Sequence, residues 1–536
     1  MNKYIKKFRI LIFIMAVFAV YSCDESLTEI TDLTTDRLFR PIGFEASMNK
    51  TEVTFTWVAV NGAVDYTLEV SPDSLFETIP VSINTSELKY VTELAGSTKY
   101  FARIRANSSD ETKNSGFNAH LSFTTPSENL FTNYISTMVA LNTIEVKWLP
   151  GAKVTHLLLT VDDENPQTFD ISDDEAESGS KVIEALPNAK YKVQLVNGTF
   201  VRGTVSVLVE GDVLVAAGET LSAALTAATP GQVILLENGV VYQTGTGAYS
   251  FDKNIKIRGI KSYDLPVLAM TAGTPTSTSS MFGFTDGSVF DYLKFENVVI
   301  TGYCDNDVSG VKVGYMFNNN TVISVGEVSF TNCVIKNFGN TPFRVKDGKN
   351  QVIDKLKFDK CTINDIGFSS TYAIVNSNSA DFINNIEFNG CTIYNFKGSL
   401  VLRQNQTFTE IIVRNCTIDQ AMMDTGSSRF LIDTNSAACL GAGITIDKCI
   451  FGSSSAKAAG IRKTSTDGSL VVTGSYYTTD FVDETPVGSV NYSQKSLMTA
   501  YSGASTALWN DPVNGDFSFK DVEFAGKGKV GDTRWQ

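Results

Sequence analysis

The chain has 536 residues, a formal net charge of −14 and two histidines. This acidic balance argues against nucleic acid as a partner, because the protein and a phosphate backbone would repel each other. With 40 glycines against 13 prolines and 11% aromatic residues, the composition favours an all-β protein of two to four domains over a disordered chain.

Residues 1–22 have the composition of an export signal. Basic residues at positions 3, 6, 7 and 9 precede an apolar run from Ile10 to Val20, an order that is typical of a signal peptide and contributes nothing to the fold. Val20-Tyr21-Ser22-Cys23 resembles a bacterial lipobox, so we expect Cys23 to be the lipidated first residue of the mature protein. An ordinary cleaved signal is the alternative. No other segment has the apolar length of a membrane span.

The segment 23–39 is polar, and we expect a tether there. It opens with Asp24-Glu25-Ser26 directly after the cysteine. An acidic tract in this position resembles the surface-export signal of Bacteroidota lipoproteins. The resemblance implies a protein that is anchored in the outer membrane by its lipid and exposed at the cell surface.

Residues 40–126 show short alternating runs with an early tryptophan, Trp57, and a later Leu94-turn-Tyr100 arrangement. This pattern predicts a β-sandwich and resembles a fibronectin type III module. Residues 127–213 repeat the plan more loosely, with Trp148 in the matching place, and resemble a second, degenerate copy. We expect both modules to act as spacers, with direct sugar binding as the alternative.

Two features of the sandwiches bear on chemistry. The acidic run Asp173-Asp174-Glu175 is expected to be a solvated turn, because it lacks the ligand spacing of a calcium loop. His120 and His156 both lie in the sandwiches. A histidine-based active site is therefore excluded from the rest of the chain.

The segment from Leu221 to Leu236 reads as a short amphipathic helix, a Pro230-Gly231 turn and a buried strand. It resembles the opening of pectate-lyase-like β-helices, in which a helix plugs the first coil. A plug is physically necessary, because the open end of a solenoid exposes apolar core and unpaired backbone.

A short phrase, apolar-x-apolar-x-polar-Cys-x-apolar, then repeats six times, and only the first copy lacks the cysteine. The copies start at Leu293, Val328, Leu356, Ile386, Ile411 and Ile444. Each alternates with period two on both sides of a polar corner, as two strands meeting at a bend require. The cysteines recur at intervals of about 25–33 residues, which predicts stacked coils of constant core and variable loop.

We interpret residues 214–451 as a right-handed parallel β-helix with an internal cysteine ladder. Neighbouring thiols would be about 4.8 Å apart, the spacing of adjacent strands. Disulfides are not expected, because in-register parallel neighbours lack the necessary torsion. The fold class is thus all-β, with two fibronectin type III-like sandwiches followed by a β-helix with an N-terminal capping helix.

Residues 452–536 are expected to form the end of the β-helix and its cap. The chain closes with Gly531-Asp-Thr-Arg-Trp535, which is similar to the Gly-Asp-Pro-Arg-Trp endings of Bacteroidota β-helix lipoproteins with domains of unknown function (DUF4957/DUF5123 type). Thr533 replaces the proline. With the sandwiches ahead of it, the whole order of parts matches that group.

A ligand of a parallel β-helix usually lies across one sheet, where outward side chains form columns about 4.8 Å apart. Aligning the strands that follow the cysteine phrases predicts one outward column, with further basic residues close by. The column consists of Lys346, Asn376, Gln404 and Asp433. The neighbouring basic residues are Arg344, Arg403 and Arg429.

A lyase that acts on uronic acids needs a base and a cation to neutralise the enolate. Arg344, Lys346 and Arg403 could supply both, and we predict them as catalytic residues, with Asn376, Gln404, Arg429 and Asp433 as substrate-binding residues. The strand of Arg403 resembles the arginine-bearing coils of alginate and chondroitin lyases. The alternative is that these cations merely pair with nearby aspartates.

Other chemistries find less support. The Asp cluster, Gly-His-Gly and Arg-Ile-Lys elements of polygalacturonases are absent from the sequence. A calcium-dependent lyase would need carboxylates on a common column, and Asp354, Asp359, Asp365 and Asp433 do not share one. We therefore predict no metal site and no cofactor, with calcium possible but not supported.

The sequence leaves three functions open. The first is a surface-exposed, lipid-anchored protein that binds or processes a polysaccharide, expected to be acidic and pectin-like, with other components of a glycan-uptake system as possible partners. The second is a polysaccharide lyase that acts by β-elimination. The third is a structural or adhesive surface protein. Fold analogy is the main argument for carbohydrate, and a fold does not dictate a function.

Overall fold

The computed structural model describes residues 37–131, 137–162, 164–377, 382–403, 407–434, 439–462, 469–483, 491–492 and 494–536. The chain divides into two compact units. One runs to Leu130 and includes Leu195–Gly203, and the other contains 131–194 and everything from Thr204 onwards. The predicted signal segment and Cys23 lie outside the described residues.

The first unit contains a β-sandwich where the sequence predicts a fibronectin type III module. Its strands are Glu45–Asn49, Glu52–Thr56, Asp65–Ser71, Val81–Thr85, Lys89–Glu93, Lys99–Asn107 and Leu121–Thr124. The first, second and fifth strands form one antiparallel sheet and the other four form the second. Trp57 and Tyr100 are buried, and the Ala95 N–H donates to Tyr100 Oη at 3.2 Å. The predicted tyrosine corner is thereby confirmed.

A second sandwich follows with the same division into three and four strands. Its strands are Thr137–Ala140, Thr143–Lys147, His156–Thr160, Gln167–Asp170, Ser180–Ile183, Ala189–Asn197 and Phe200–Val209. The acidic run predicted as a turn instead begins the helix Asp173–Ser178, because Ser172 and Glu175 form a reciprocal capping box. Carboxylates are favoured at that end of a helix by its dipole.

The rest of the second unit is a parallel β-helix made of three sheets, as the repeat predicts. Strands of the first sheet are Val213–Val215, Val233–Leu236, Ile255–Gly259, Ser288–Glu296, Ile323–Thr331, Val352–Asp359, Phe382–Asn389, Phe408–Arg414, Cys439–Asp447 and Ser469–Thr473. Those of the second sheet are Val241–Gln243, Val267–Ala269, Val299–Thr301, Val334–Lys336, Thr362–Ile366, Thr392–Phe396, Thr417–Asp419, Ile450–Phe451, Tyr476–Tyr477 and Thr499–Ala500.

The third sheet consists of Tyr249–Phe251, Ser280–Phe284, Tyr315–Asn319, Thr341–Val345, Val375–Ser377, Val401–Arg403, Arg429–Asp433, Ala458–Arg462 and Asn491–Tyr492. Neighbouring strands of the three sheets are parallel, except for the last pair of the third sheet. The coils continue to Ala500, beyond the last cysteine phrase. The helix Leu221–Ala227 buries Leu221 and Leu225 against the first coils, as its predicted capping role requires.

One residue before each ladder position turns the chain through a left-handed backbone conformation. These corner residues are Asn297, Asn332, Lys360, Gly390, Asn415 and Lys448, with φ between 50° and 61°. Asparagine and glycine tolerate this region best. The polar corner of the repeated phrase therefore exists because the bend needs a residue that accepts positive φ.

Substitution of a corner glycine tests this reading. Gly390→Val should lower the free energy of unfolding by about 1–2 kcal/mol, because a β-branched residue is strained at positive φ. A Cβ at Gly390 would meet only ordinary contacts, the nearest being Lys360 Cγ at 3.5 Å, so crowding contributes little. Gly390→Asn is the control and should cost less than half as much. Equal losses in urea unfolding would show that conformation is not the cause.

Behind the corners, the thiols form the predicted internal ladder. The members Cys333, Cys361, Cys391, Cys416 and Cys449 are completely buried, and all seven described cysteines are free. Each ladder thiol donates to a carbonyl of the preceding coil, for example Cys361 to Phe330 O at 3.3 Å. The cysteines thus fill a tight corner and satisfy backbone acceptors.

Beside the thiols runs a stack of phenylalanines. Phe295, Phe330, Phe358 and Phe388 lie on four successive coils with nearly parallel rings, and their centroids are 5.1, 5.2 and 4.8 Å apart. All four are completely buried. Equivalent positions of the phrase therefore occupy equivalent places in the core.

The C-terminal segment folds back over the outer face of the second sheet. It contains the helix Ser505–Leu508, the hairpin Trp509–Asp511 and Asp516–Phe519, and the last two of the short 3₁₀ turns. The 3₁₀ turns are Glu111–Lys113, Cys304–Asn306, Lys495–Leu497, Pro512–Asn514 and Thr533–Trp535. Trp509, Phe517 and Val530 pack with Ile450 of the second sheet.

The closing motif fastens this segment to three coils. Asp532 is completely buried, accepts from Thr392 Oγ1 at 2.7 Å and donates its N–H to Thr417 Oγ1 at 3.1 Å. Arg534 contacts the Asp532 carboxylate and donates to the Cys361 carbonyl at 3.0 Å, and Trp535 Nε1 donates to Thr392 Oγ1 at 2.7 Å. We call Asp532–Trp535 the C-terminal clasp.

Candidate functional site

The outer face of the third sheet carries a column of polar side chains at one register position. Its members, on six successive coils, are Asn318, Arg344, Asn376, Leu402, Asp433 and Arg462. They alternate along each strand with core residues such as Phe343 and Val375. Because side chains alternate between the faces of a strand, this column lies on the outer side. We call it the polar column.

The polar column corrects the predicted one. Asn376 and Asp433 share a column, as predicted, but the position assigned to Lys346 belongs to Arg344. The position assigned to Gln404 belongs to Leu402, and Gln404 itself lies outside the described residues. Both errors are shifts of two residues, which keep the face but change the column.

Three members of the polar column bear buried polar atoms without hydrogen-bond partners. Asn376 is 1% exposed, and both its Oδ1 and its Nδ2 lack a partner. On the two preceding coils, Arg344 Nε and Asn318 Oδ1 are also buried and also lack a hydrogen-bond partner. A buried polar group without a partner costs about 1–3 kcal/mol. This cluster on adjacent coils therefore has hydrogen-bonding capacity that the described protein groups do not use.

Aromatic rings hold the Arg344 side chain. Its guanidinium carbon lies 4.4 Å from the centroid of Tyr372 and 6.0 Å from that of Tyr315. The two tyrosine centroids are 6.3 Å apart. A guanidinium over a ring is attracted by the ring quadrupole. Among the residues that the structure describes, none forms an ion pair with Arg344.

The last two positions of the polar column, Asp433 and Arg462, are different, because their charges are already paired with each other. Arg462 Nε donates to Asp433 Oδ1 at 2.8 Å, and Nη2 contacts Oδ2 at 2.5 Å. The guanidinium carbon of Arg462 lies 4.5 Å from the centroid of Phe430. Asp433 is 5% exposed. This end therefore has no cation to offer a ligand.

The remaining predicted site residues do not join the polar column. Lys346 Nζ pairs with Asp347 at 2.9 Å. Arg403 shares its register position with Ser377 and Val345, one residue away from the position of Arg344. The predicted catalytic trio is thus not assembled on one column.

Arg429 begins the strand that ends at Asp433, and its side chain is already engaged. Its Nε donates to Asp424 at 2.8 Å and its Nη2 to Thr371 Oγ1 at 2.7 Å. Burial works to raise the pKa of Asp424, but the Gly426 N–H and Arg429 outweigh it and hold that pKa below its usual range. Arg429 and Asp424 are therefore a structural ion pair that anchors the strand carrying Asp433.

Sequence reasoning missed Asn318 and assigned Arg344 no column. Asn318 lies on a coil whose first-sheet phrase has no cysteine, so the alignment from cysteine phrases did not reach it. Tyr372 and Tyr315 were available as aromatic residues near the predicted site. Their relation to Arg344 needs the loop geometry, which the phrase does not encode.

A second polar place lies on the outer face of the first sheet. It is a small cavity of about 160 Å³ lined by Lys355, Asn385, Glu387 and Glu410 among others. Lys355 pairs with Glu387 at 3.4 Å, so its cation is already used. Across the described ranges, no three side chains of His, Cys, Asp or Glu converge to form a metal site.

Comparisons with known proteins bear on the two ends of the chain. Residues 411–535 match the family described as Domain of unknown function (DUF5123). The match covers the last coils and the C-terminal clasp, where the closing motif suggested such a resemblance. No curated protein matches the chain.

Two solved structures from chicken are similar to a part of the chain. A two-domain fibronectin type III segment of tenascin is 16% identical, covers 31% of this chain and 97% of its own, and has a TM-score of 0.17. The first three fibronectin domains of CNTN1 are also 16% identical, cover 31% of this chain and 66% of their own, and have a TM-score of 0.14. In the part of the chain that is described, no helix has the length and apolar character to cross a membrane.

Proposed function

We propose that this protein is a lipid-anchored protein of the outer membrane, exposed at the cell surface. It binds a polysaccharide on the first three positions of the polar column. The binding surface consists of Asn318, Arg344 and Asn376 with Tyr372 beside them. The observation that supports it is the set of partnerless polar atoms on these three coils. An acidic, pectin-like polymer of a glycan-utilisation system is the expected ligand class.

The dimensions of the column suit a sugar chain. Neighbouring strands are about 4.8 Å apart, so three coils present a polar group at each step over roughly 10 Å. Sugar hydroxyls both donate and accept hydrogen bonds. They could donate to Oδ1 of Asn318 and Asn376 and accept from Asn376 Nδ2, which have no partners in the protein. Tyrosine offers an apolar ring with a polar edge beside the column.

The anchor and the fold relationship rest on the sequence. Residues 1–23 carry the basic start, the apolar run and the lipobox-like cysteine, and Asp24-Glu25-Ser26 follows. The two sandwiches would then separate the β-helix from the membrane. Similarity of the capping helix to pectate-lyase-like β-helices, and of the tail to Bacteroidota lipoproteins, agrees with a role in glycan capture.

The geometry favours binding over β-elimination. A lyase needs a base and a neutralising cation that face one sugar. Lys346 is paired with Asp347, and Arg403 occupies a different register position from Arg344. Production of unsaturated sugar, seen as new ultraviolet absorbance during incubation with pectin, alginate or glycosaminoglycans, would instead establish the lyase.

Two substitutions test the binding surface. Arg344→Ala should weaken glycan binding about tenfold or more, since hydrogen bonds to charged groups contribute about 1.5–3 kcal/mol. Asn376→Ala should weaken it about fivefold, since a neutral hydrogen bond contributes about 1 kcal/mol. The measurement is affinity electrophoresis of the full chain in gels that contain polygalacturonate, alginate or a glycosaminoglycan. Lys357→Ala, on the outer face of the first sheet, is the control and should migrate like the wild type. Unchanged retardation in both test variants would remove the polar column from the site.

A further inference from the structure

Arg344 and Arg462 are held in the same way at two places on the polar column. Each guanidinium lies over an aromatic ring, at 4.4 Å from Tyr372 and at 4.5 Å from Phe430 respectively. Each is half-buried, and both occupy the same register position. Arg462 therefore serves as an internal template for Arg344.

The two arginines differ in what the preceding coil offers them. For Arg462 it offers Asp433, whose two oxygens take Nε and Nη2 of the guanidinium. For Arg344 it offers Asn318, an uncharged amide whose Oδ1 has no partner. Arg344 Nε has none either. The planar fork of arginine matches a carboxylate with two parallel hydrogen bonds.

We propose that a ligand carboxylate pairs with Arg344 as Asp433 pairs with Arg462, so that the site selects an unesterified uronic acid. This inference rests on the proposed function and names the class of sugar that the site binds. The amides of Asn318 and Asn376 flank the bound carboxylate on the neighbouring coils and take hydroxyls of the same chain. Arg344 is thus the specificity-determining residue.

The site has features that suit an anion despite the net charge of −14. No described carboxylate competes for the Arg344 guanidinium, and the neighbours in its column are neutral amides. Tyr372 and Tyr315 restrict water around the cation, and a desolvated charge-assisted hydrogen bond is stronger than an exposed one. Methyl esterification removes the negative charge that such a bond requires.

The test compares polygalacturonate with the same polymer after methyl esterification, using affinity electrophoresis of the full chain. Wild-type protein should bind the free acid about tenfold or more tightly than the ester. Arg344→Ala should abolish that preference. Asn318→Asp supplies an internal carboxylate at the template position and should lose binding to the free acid to the same extent, with unchanged or higher thermal stability.

Asn320→Asp is the matched control. It adds the same charge two residues away, on an exposed position directly after the same strand, and should retain most of the binding. If no glycan is retained in either form, the proposed function fails. If the ester binds as well as the acid, if Asn318→Asp binds normally, or if dextran sulfate replaces the acid with equal dependence on Arg344, the carboxylate inference fails while glycan binding stands.

Discussion

At pH 9.5 the β-helix is expected to be a few kcal/mol less stable than at pH 7.5, because its thiol ladder must stay neutral. Burial raises the pKa of Cys361, Cys391 and Cys416 well above the ordinary thiol value. In the unfolded chain a thiol ionises near pH 8.5. The stabilisation is therefore complete below that pH and is lost as the pH rises, by roughly 1 kcal/mol for each of these thiols at pH 9.5.

Urea unfolding at the two pH values, followed by circular dichroism, measures this loss. Cys391→Ala should reduce the pH dependence by about a third, although it lowers stability at both pH values. Cys439→Ala removes a half-buried thiol outside the ladder and should leave the dependence as it is. A wild-type protein equally stable at both pH values would show that the ladder is not the buried, neutral array described above.

Asp532→Ala should destabilise the β-helix by about 3 kcal/mol, at the lower end of the cost of breaking a buried ion pair. The substitution removes the acceptor of Thr392 and the counter-charge of Arg534 in a place where Asp532 is completely buried. Arg534 retains 33% of its side-chain exposure, so water offsets part of the loss. Asp532→Asn keeps the shape and should cost less.

Thiol alkylation in increasing urea is a suitable measurement, because Cys23 is the one cysteine outside the β-helix. Labels beyond that one thiol therefore report on the β-helix. Asp511→Ala removes an exposed carboxylate of the tail hairpin and should change stability by less than about 0.5 kcal/mol. If the Asp532→Ala protein becomes labelled at the same urea concentration as the wild type, the C-terminal clasp does not contribute to the stability of the β-helix.

The fold was accessible from the sequence because each coil repeats its own core. Two residues before the corner stands a phenylalanine in four of the six copies and Val413 or Ile446 in the other two, and a cysteine follows the corner directly in five. Period-two alternation and a residue tolerant of positive φ together specify a strand, a bend and a strand. The acidic run at Asp173 was misjudged because its capping partner, Ser172, decides between turn and helix.

The site was less accessible, because register in the third sheet depends on loops of unequal length. The sequence correctly predicts Asn376 and Asp433 on one column. The positions that it assigns to Lys346 and Gln404 belong to Arg344 and Leu402, two residues earlier. A shift of two residues keeps a side chain on the outer face of the strand, so the alternation of the sequence does not reveal the error. The pairing of Asp433 with Arg462, and its absence at Arg344, depends on side-chain contacts that no local pattern encodes.

The phenylalanine stack has a consequence for inheritance. Phe358 meets one ring above and one below, Phe330 and Phe388, at nearly the same separation. Recombination between the gene segments of two such coils would delete or duplicate one rung and still leave every ring with a matching neighbour. The molecule can thereby grow or shrink in steps of one strand spacing, about 4.8 Å, and the length of its β-helix becomes a trait on which selection acts.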